Sequence, residues 1–528
     1  MPEAPAGDVA AGGEGSRFED LTPEQHRILA YASSIGSEFD FALLVAAMGV
    51  GEEPLAEQLE RLVHLGILRE RAGGDRFSFA EEEFRARIYR SLTESRLRVL
   101  HRKIAEAMER MYPTPSTEVV AELGRHFFLG KVPEKSLAYN RQASESARAA
   151  DDPESAAQYL ERVRVDLETS PPADRLTDLA EVEEALGELY YSVANFAAAD
   201  RYFTAALERL GSDQPRIRAR LLLARAEIAR ENLDTETATR QALEAQKLFE
   251  AVDDRLGRAQ TYRLLGRVAF HRGAYREALD ESMRSLEAIG DLRDPRLIGE
   301  LSIDIGNSFA LLGPEVRAEA IQWYERAIER LTRVGDWVEL SRAYHNLGVA
   351  VGEAHPQDGL EYLERAREMG DRAHDTRSIG RALLSGVELR LALGQLEEAT
   401  RDNEQAGRLL QRLADELGLE QVEVNRGLIA EKQGQWEDAE RFYEKAIEAC
   451  RRFHLRADEA EVYFYLARLR FKTRDLEGAR HALRAAANLG VADLRPNLAP
   501  GFDELRHQLD QAGDARAPTD PSGAPPTA

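Results

Sequence analysis

Apolar residues recur with the period of an α-helix over most of this 528-residue chain. The segment 419–450 shows the pattern most clearly, because two amphipathic stretches flank the short turn Gln433-Gly434-Gln435. This spacing predicts two helices that pack as a hairpin. Small residues such as Gly427 stand where the two backbones approach, and large residues such as Trp436 lie beside them. One hairpin cannot bury its apolar face alone, so the pattern predicts neighbours of the same kind.

A small residue in the first predicted helix of each hairpin recurs at spacings of 38 to 42 residues. We call these residues the anchors: Gly187, Ala226, Gly266, Gly306, Gly348, Gly386, Gly427 and Ala467. A second small residue follows twelve or so positions later and a third seven positions after that, often with a bulky residue such as Phe203 or Tyr443 between them. The anchors predict eight helical hairpins between residues 176 and 490.

This small–bulky–small order resembles the tetratricopeptide repeat (TPR). The period near 40 residues is longer than the plain 34-residue motif, and it is similar to the longer-helix repeats of MalT-type regulators and kinesin light chains. The resemblance implies an all-α protein whose hairpins form a right-handed TPR superhelical solenoid. It also implies that the first helix of each hairpin lines a concave wall that binds a protein or peptide.

The N-terminal segment 18–112 has a different pattern. Three short helices are predicted, the first capped by Thr22, and then a β-hairpin over 67–79 and one long basic amphipathic helix. The stretches LVHLGIL (62–68), FSF (77–79) and LHRKIAEAME (100–109) resemble the winged-helix module that follows the ATPase in STAND-class regulators. Glu81 stands where that family usually has His. No Gly-Lys-Ser/Thr occurs in the chain, so the resemblance does not imply ATP binding.

The helix that would enter a DNA groove in such a module carries three carboxylates, Glu53, Glu57 and Glu60, against Arg61. These carboxylates would repel phosphates, which favours a packing module over a DNA reader. The basic residues of the following helix are partly offset by glutamates, which is typical of a solvated helix face.

The patterns together predict six segments along the chain. These are a disordered N-terminus (1–17), a winged-helix-like domain with a linking helix (18–112), degenerate helical repeats (113–175), the TPR array (176–490), a capping helix (491–511) and a disordered tail (512–528).

Composition narrows the function classes. Charged residues make up 31% of the chain, the mean hydropathy is -0.46 and the formal net charge is -24, which argues against non-specific binding to nucleic acid or anionic lipid. The single Cys450 cannot form an intramolecular disulfide and suits a reducing compartment. No apolar run is long enough for a membrane span, and the acidic N-terminus is unlike a signal peptide. We therefore expect a soluble cytoplasmic protein.

Candidate chemistry is sparse. The sequence has no HExxH, no GxSxG and no paired cysteines, and its 11 histidines are scattered. We expect no catalytic site, no metal and no cofactor. The acidic run Glu81–Glu83 is typical of a solvated face rather than a metal site.

The resemblance to TPR proteins implies a set of polar residues that point into the groove. These are Arg263, Arg267, His271, Asn307, Arg342, His345, Asn346, Arg390, Asn425, Lys432 and Arg468. Arginine and asparagine donors suit carboxylates, so an acidic segment or a C-terminal carboxylate is one predicted partner. The alternative is that these are ordinary exposed polar residues.

The sequence supports two functional hypotheses. The first is a non-enzymatic scaffold that docks a protein or peptide in the groove of the TPR array. The alternative is a regulatory component related to the sensor half of STAND-type proteins, in which the winged helix contacts DNA or a separate ATPase.

Overall fold

The structure is a computed structural model, and it describes residues 21–71, 73–169, 176–211, 214–290, 294–453, 455–491 and 498–514. These described residues form 25 α-helices, one 3₁₀-helix and three short β-strands, which confirms the all-α fold class. Two compact units make up the chain, residues 1–228 and residues 229–528. The predicted disordered segment 1–17, and 512–528 apart from its first three residues, lie outside the described residues.

The first unit begins with short helices and strands and continues as longer helices. Its elements are α1 (Pro23–Ile35), β1 (Glu38–Asp40), α2 (Phe41–Met48), α3 (Glu52–His64), β2 (Leu68–Glu70), β3 (Arg76–Phe79), α4 (Glu82–Ser91), α5 (Glu94–Met111), α6 (Thr117–Leu129), α7 (Pro133–Ala149), α8 (Pro153–Thr169), α9 (Leu176–Ser192) and α10 (Phe196–Arg209). Helix α11 (Pro215–Glu231) contains the boundary between the two units.

The second unit is built from helix pairs and one last helix. Its elements are α12 (Thr235–Ala251), α13 (Arg255–His271), α14 (Tyr275–Ile289), α15 (Pro295–Leu312), the 3₁₀-helix Pro314–Val316, α16 (Arg317–Val334), α17 (Trp337–Gly352), α18 (Pro356–Arg372), α19 (Thr376–Ala392), α20 (Leu396–Arg412), α21 (Glu416–Lys432), α22 (Trp436–Arg452), α23 (Arg456–Lys472), α24 (Leu476–Leu489) and α25 (Ala499–Asp514).

The N-terminal strands form one antiparallel sheet in the order β1-β3-β2. Strand β1 was not predicted, because three residues are too few to show an alternating pattern. It pairs Phe39 with Phe77 of β3, and both rings are buried in the core of this part of the unit. The cap predicted at Thr22 is confirmed, and it is a capping box: the Thr22 hydroxyl accepts from the Gln25 backbone N–H, and the Gln25 side chain accepts from the Thr22 N–H.

The single long helix predicted after the β-hairpin is wrong. The chain forms two helices, α4 and α5, because the backbone becomes extended at Leu92 and Thr93. Thr93 then caps α5 by accepting a hydrogen bond from the Arg96 backbone N–H. The apolar period continues across this break, so the pattern alone could not reveal it.

Helices α9 to α24 follow the predicted period, with each anchor in the first helix of a pair. Gly187 shows why the anchor must be small. A Cβ added there would lie 2.6 Å from Cδ1 of Phe203, the bulky residue of the next helix. The ring therefore occupies the space above the glycine, which explains the small–bulky–small order.

Aspartates begin many of these helices. In the first helices of the second unit, Asp254, Asp294, Asp336, Asp375 and Asp415 each accept a hydrogen bond from a backbone N–H of the first turn. These caps satisfy N–H groups that have no partner within the helix, and so they set where each helix begins.

The last helix, α25, buries Phe502, Leu505 and Leu509 in a core that it shares with α23 and α24. It ends at Asp514, three residues beyond the predicted end of the capping helix. Within the described part of the chain, no helix combines the length and apolarity needed to cross a membrane.

Candidate binding cleft

A cleft of about 340 Å³ lies in the second unit. Its lining comes mainly from α15, from α17 and from the turn after α15, with Phe270 of α13 and Glu461 of α23. A smaller cavity of about 170 Å³ shares Phe270 and Asn307 with the cleft. Side chains from the first helices of four different hairpins therefore meet in the larger of the two cavities, which we call the central cleft.

A chain of side-chain hydrogen bonds crosses the central cleft. Ser385 donates to Nε2 of His345 (2.9 Å), and Nδ1 of His345 donates to Oδ1 of Asn346 (3.1 Å). Asn346 in turn donates its amide to Oδ1 of Asn307 (2.7 Å). Burial lowers the pKa of His345, which keeps the ring neutral and able to accept from Ser385.

Asn307 is the last residue in this series of hydrogen bonds, and its side chain acts there only as an acceptor. Its Oδ1 also accepts from the hydroxyl of Tyr324 (2.9 Å). Among the residues that the structure describes, no group accepts a hydrogen bond from its Nδ2, although the side chain lines the central cleft. The Asn307 amide is thus held in place with its two N–H donors available to a ligand.

Arg263 and Arg342, predicted to hold a carboxylate, already contact carboxylates of the protein. Arg263 pairs with Glu300 (2.5 Å) and Asp304 (2.8 Å), and Arg342 pairs with Glu339 (2.8 Å). Burial alone would raise the pKa of Asp304, but Arg263, Arg342 and Arg267 together hold it below its ordinary value. The positive charge of this part of the wall is therefore largely neutralised.

Arg267 and His271 both line the smaller cavity. His271 lies within 3.2 Å of the Arg230 guanidinium through its Nε2, which must accept because arginine only donates. Six of the predicted residues line the central cleft or the smaller cavity: Arg267, His271, Asn307, Arg342, His345 and Asn346. Arg263 adjoins them through its ion pair with Asp304, which lines the smaller cavity.

Four further predicted residues also line neither cavity, and for Asn425 the prediction is wrong. Asn425 is fully buried, and its amide donates to the Leu384 carbonyl (3.1 Å). Arg390 pairs with Asp402 (2.6 Å) on the next helix, and Arg468 pairs with Glu431 (3.3 Å). Lys432 is exposed at the end of α21. Sequence register alone could not separate positions that face a neighbouring hairpin from positions that face the cleft.

The sequence analysis did not single out the carboxylates in and beside the central cleft. Glu461 and Glu353 line the central cleft, and both carboxylates interact electrostatically with Glu388. Surrounding protein limits the solvation of Glu388, and with the charge of Glu461 it raises the pKa of Glu388 to about 7. A pattern in the sequence could have revealed part of this wall: complementary polar residues recur one repeat apart, as in Arg263 with Asp304 and Asn307 with Asn346.

A second polar centre lies in the first unit, beside a cleft of about 730 Å³. Nδ1 of His101 lies 2.8 Å from Nδ1 of His126, and both rings are buried. Arg125 donates to Nε2 of His126 (2.9 Å), so His126 must donate from Nδ1 to His101, whose Nε2 then donates to Tyr89. Burial, with the charge of Arg125, lowers the pKa of His101 to about 4 and that of His126 well below its ordinary value.

Within the described ranges, no cluster of His, Cys, Asp and Glu is arranged to hold a metal ion.

Residues 418–489 match the family described as tetratricopeptide repeat. No curated protein sequence matches this chain. Many solved structures are similar to it in fold. A signal transduction ATPase with numerous domains and a tetratricopeptide repeat sensor, from Pyrococcus horikoshii, is 14% identical with a TM-score of 0.45, over 84% of this chain and 65% of that protein's length.

Two more of these structures match over a smaller share of this chain. Aspartyl phosphate phosphatase F from Bacillus subtilis is 13% identical with a TM-score of 0.45, over 78% of this chain and 97% of that one. A Rap protein complexed with Competence and Sporulation Factor is 13% identical with a TM-score of 0.36, over the same two shares.

Proposed function

We propose that this protein is a non-enzymatic scaffold whose second unit binds a protein or peptide segment in the central cleft. The observation that carries the proposal is the Asn307 amide, which the chain through Asn346 and His345 orients while its own donors stay available. Phe270, exposed Val349 and Leu311 supply apolar surface beside it. An apolar cleft with a few oriented polar groups is the usual form of a binding site.

The test is a selection from a random dodecapeptide display library on the full-length protein, followed by Kd measurements with labelled peptides. The Asn307→Asp variant keeps an oxygen that accepts from Tyr324 and Asn346 but removes the free N–H donors. It should keep the fold and lose about tenfold or more in affinity, since unmade hydrogen bonds to a bound ligand cost about 1–3 kcal/mol.

The matched control is Gln433→Ala, because Gln433 is exposed in the turn after α21 and lines neither cavity. Its affinity should equal that of the wild type. Selected peptides that bind Asn307→Asp as well as the wild type would remove the central cleft as the binding site.

An acidic segment or C-terminal carboxylate was the partner predicted from the donors alone. The ion pairs of Arg263 and Arg342 with Glu300, Asp304 and Glu339 weigh against it, because a carboxylate ligand would have to displace them. Acidic specificity is therefore not part of the proposed function. The buried thiol of Cys450, which donates to Glu420 (3.2 Å), supports a reducing compartment such as the cytoplasm as the place of this binding.

A second candidate function is that of a regulatory component with a winged-helix module at residues 18–112. The element order α1-β1-α2-α3-β2-β3 and the sheet order β1-β3-β2 support this proposal. The charges favour contact with a protein, such as a separate ATPase, over DNA. Arg71 pairs with Glu38 (2.6 Å) and Arg76 with Asp40 (2.9 Å), so the cations beside the β2–β3 turn are already neutralised.

A gel-shift measurement with the full-length protein and random-sequence duplex DNA at low salt tests the DNA version. Non-specific binding is strongest at low salt, so we expect no retarded complex under these conditions. A complex that weakens with added salt and is lost in Arg69→Glu would instead support DNA contact by the exposed residues of β2.

A further inference from the structure

Strand β1 forms one edge of the N-terminal sheet and lies in the wall of the cleft of about 730 Å³ in the first unit. Four consecutive residues, Ser37–Asp40, line that cleft. Side chains alternate between the two faces of a strand, so a cleft over one face would be lined by every second residue. A cleft that all four residues line therefore runs along the edge of β1, which we call the open edge.

The hydrogen bonds between β1 and β3 show which backbone groups face the open edge. The Ser37 carbonyl accepts from the Phe79 N–H (3.1 Å), and the Phe41 N–H donates to the Asp75 carbonyl (2.9 Å). The odd-numbered residues of this stretch therefore direct their backbone groups towards β3, and Glu38 directs its N–H and C=O outwards. Within the described part of the chain, no group forms a hydrogen bond with the N–H or the C=O of Glu38.

The charged side chains of β1 are directed across the sheet and away from the open edge. Glu38 pairs with Arg71, which follows β2 (2.6 Å), and Asp40 pairs with Arg76 of β3 (2.9 Å). Edge strands are commonly protected by exposed charges or by a covering element. An edge whose charges lie across the sheet, and whose backbone groups are unpaired, instead suits the addition of another strand.

Helix α6 gives the same cleft a net negative charge. The three arginines that line the cleft already have carboxylate partners: Arg76 pairs with β1, and Arg85 and Arg125 each pair with a glutamate of their own helix. Exposed Glu118 accepts from the Ser116 hydroxyl (2.8 Å), and no cation among the described residues pairs with it. The charge of Glu118 therefore favours a basic side chain on a ligand beside it.

We propose that an extended segment of a partner protein adds a strand to the open edge and places a lysine or arginine side chain beside Glu118. The backbone of this segment pairs with the N–H and the C=O of Glu38. Half-buried Ile35 and Val119, which also line the cleft, supply apolar surface for its alternate side chains. This site lies in the first unit, and it does not depend on the binding proposed for the central cleft.

Glu38→Pro is the variant that tests the open edge. Proline removes the outward N–H, whereas the bonds to β3 belong to the neighbouring residues, and edge strands accept proline at such positions. Glu38→Ala removes the same side chain and keeps the N–H. Glu70→Pro is the matched control on β2: Arg71 donates to the Arg76 carbonyl (2.9 Å), so the Glu70 N–H faces the other edge of the sheet.

A random dodecapeptide library is selected on the full-length Asn307→Asp protein, which disfavours peptides that bind the central cleft. Kd values of the selected peptides are then measured with the wild type and each variant. We expect Glu38→Pro to weaken binding about tenfold or more, since a backbone hydrogen bond to the ligand is lost. Glu38→Ala and Glu70→Pro should bind as the wild type does.

Two further measurements do not depend on the folding of Glu38→Pro. Selected peptides should share lysine or arginine, and Glu118→Gln should weaken them about twofold to fivefold, the range of an exposed ion pair. Hydrogen exchange of the wild-type segment that contains Glu38 should become slower when peptide binds, because the outward N–H then has an acceptor.

The inference is overturned if peptide binding leaves this exchange unchanged, or if Glu70→Pro weakens binding as much as Glu38→Pro. Slow exchange before any peptide is added would show that the chain itself already occupies the open edge. Dimerisation of the protein that Glu38→Pro abolishes would assign the edge to a second copy, and either result rules out the partner segment. Because Asn307→Asp tests the central cleft separately, each of the two proposals can fail while the other stands.

Discussion

The ring of Tyr443 lies directly against the backbone of Gly427, so that a Cβ added at Gly427 would be 2.6 Å from Cδ1 of that ring. The Tyr443 hydroxyl donates to Glu431 (3.1 Å), which prevents the ring from moving aside. We predict that Gly427→Ala destabilises the second unit by about 1–2 kcal/mol, because overpacking outweighs the gain in helix propensity. Urea unfolding followed by tryptophan fluorescence measures this, because Trp323, Trp337 and Trp436 all lie in the second unit.

Gly386→Ala is the matched control, since Gly386 is the anchor of another repeat. A Cβ there would lie 3.6 Å from Leu360, an ordinary contact. This variant should be neutral or stabilising by about 0.5–1 kcal/mol. Equal effects at both positions would show that the bulky residue does not define the packing of the repeat.

Asn425 should matter for stability and not for binding. Its buried amide holds the Leu384 carbonyl of the preceding repeat. Asn425→Ala leaves that carbonyl without its donor, and we expect a loss of about 1–3 kcal/mol in the free energy of unfolding. Lys432→Ala on the same helix should change it by less than about 0.5 kcal/mol, because Lys432 is exposed. Unchanged stability in Asn425→Ala would contradict the prediction.

The His101–His126 pair should make the first unit sensitive to acid. The pKa of His101 falls from 6.5 to about 4 on folding, so the unfolded chain binds a proton that the folded chain does not. Stability is therefore full above pH 6.5 and is lost as the pH falls from 6.5 towards 4. Over this pH range, the part of the loss in unfolding free energy that is due to His101 is on the order of 3 kcal/mol.

Hydrogen exchange of segments from α4 to α6, corrected for intrinsic rates, follows this loss. In His101→Gln the opening free energy should be lower at pH 7 and should fall less between pH 6.5 and 4. His64→Gln, at an exposed histidine of α3, should keep the wild-type slope. A wild-type slope in His101→Gln would contradict the assigned role of the pair.

Glu388 should have the opposite effect on stability. Its pKa of about 7 lies above the ordinary 4.5, so the folded state binds more protons between these values and stability falls as the pH rises from 4.5 to 7. Glu388→Gln should therefore raise the midpoint of thermal unfolding at pH 8 and change it little at pH 4. A variant that is equally stabilising at both pH values would show that packing, not charge, causes the effect.

The sequence by itself determined the repeats. The anchors and the bulky residues over them act between adjacent helices, and the aspartates that begin helices act within one turn. Such contacts have a fixed spacing along the chain. The break between α4 and α5 was not predicted, because a single cap at Thr93 can interrupt a helix without disturbing the apolar period.

Only the tertiary structure decided which polar residues are available in the central cleft. Asn346 and Asn425 each stand two residues before the anchor of their repeat, yet Asn346 lines the cleft and Asn425 holds a backbone carbonyl in the core. The charges of Arg263 and Arg342 are neutralised by carboxylates that lie about one repeat away along the chain, or closer. Glu461 joins Asn307 although more than 150 residues separate them along the chain. Charge neutralisation and exposure depend on neighbours in space, and a one-dimensional pattern does not contain them.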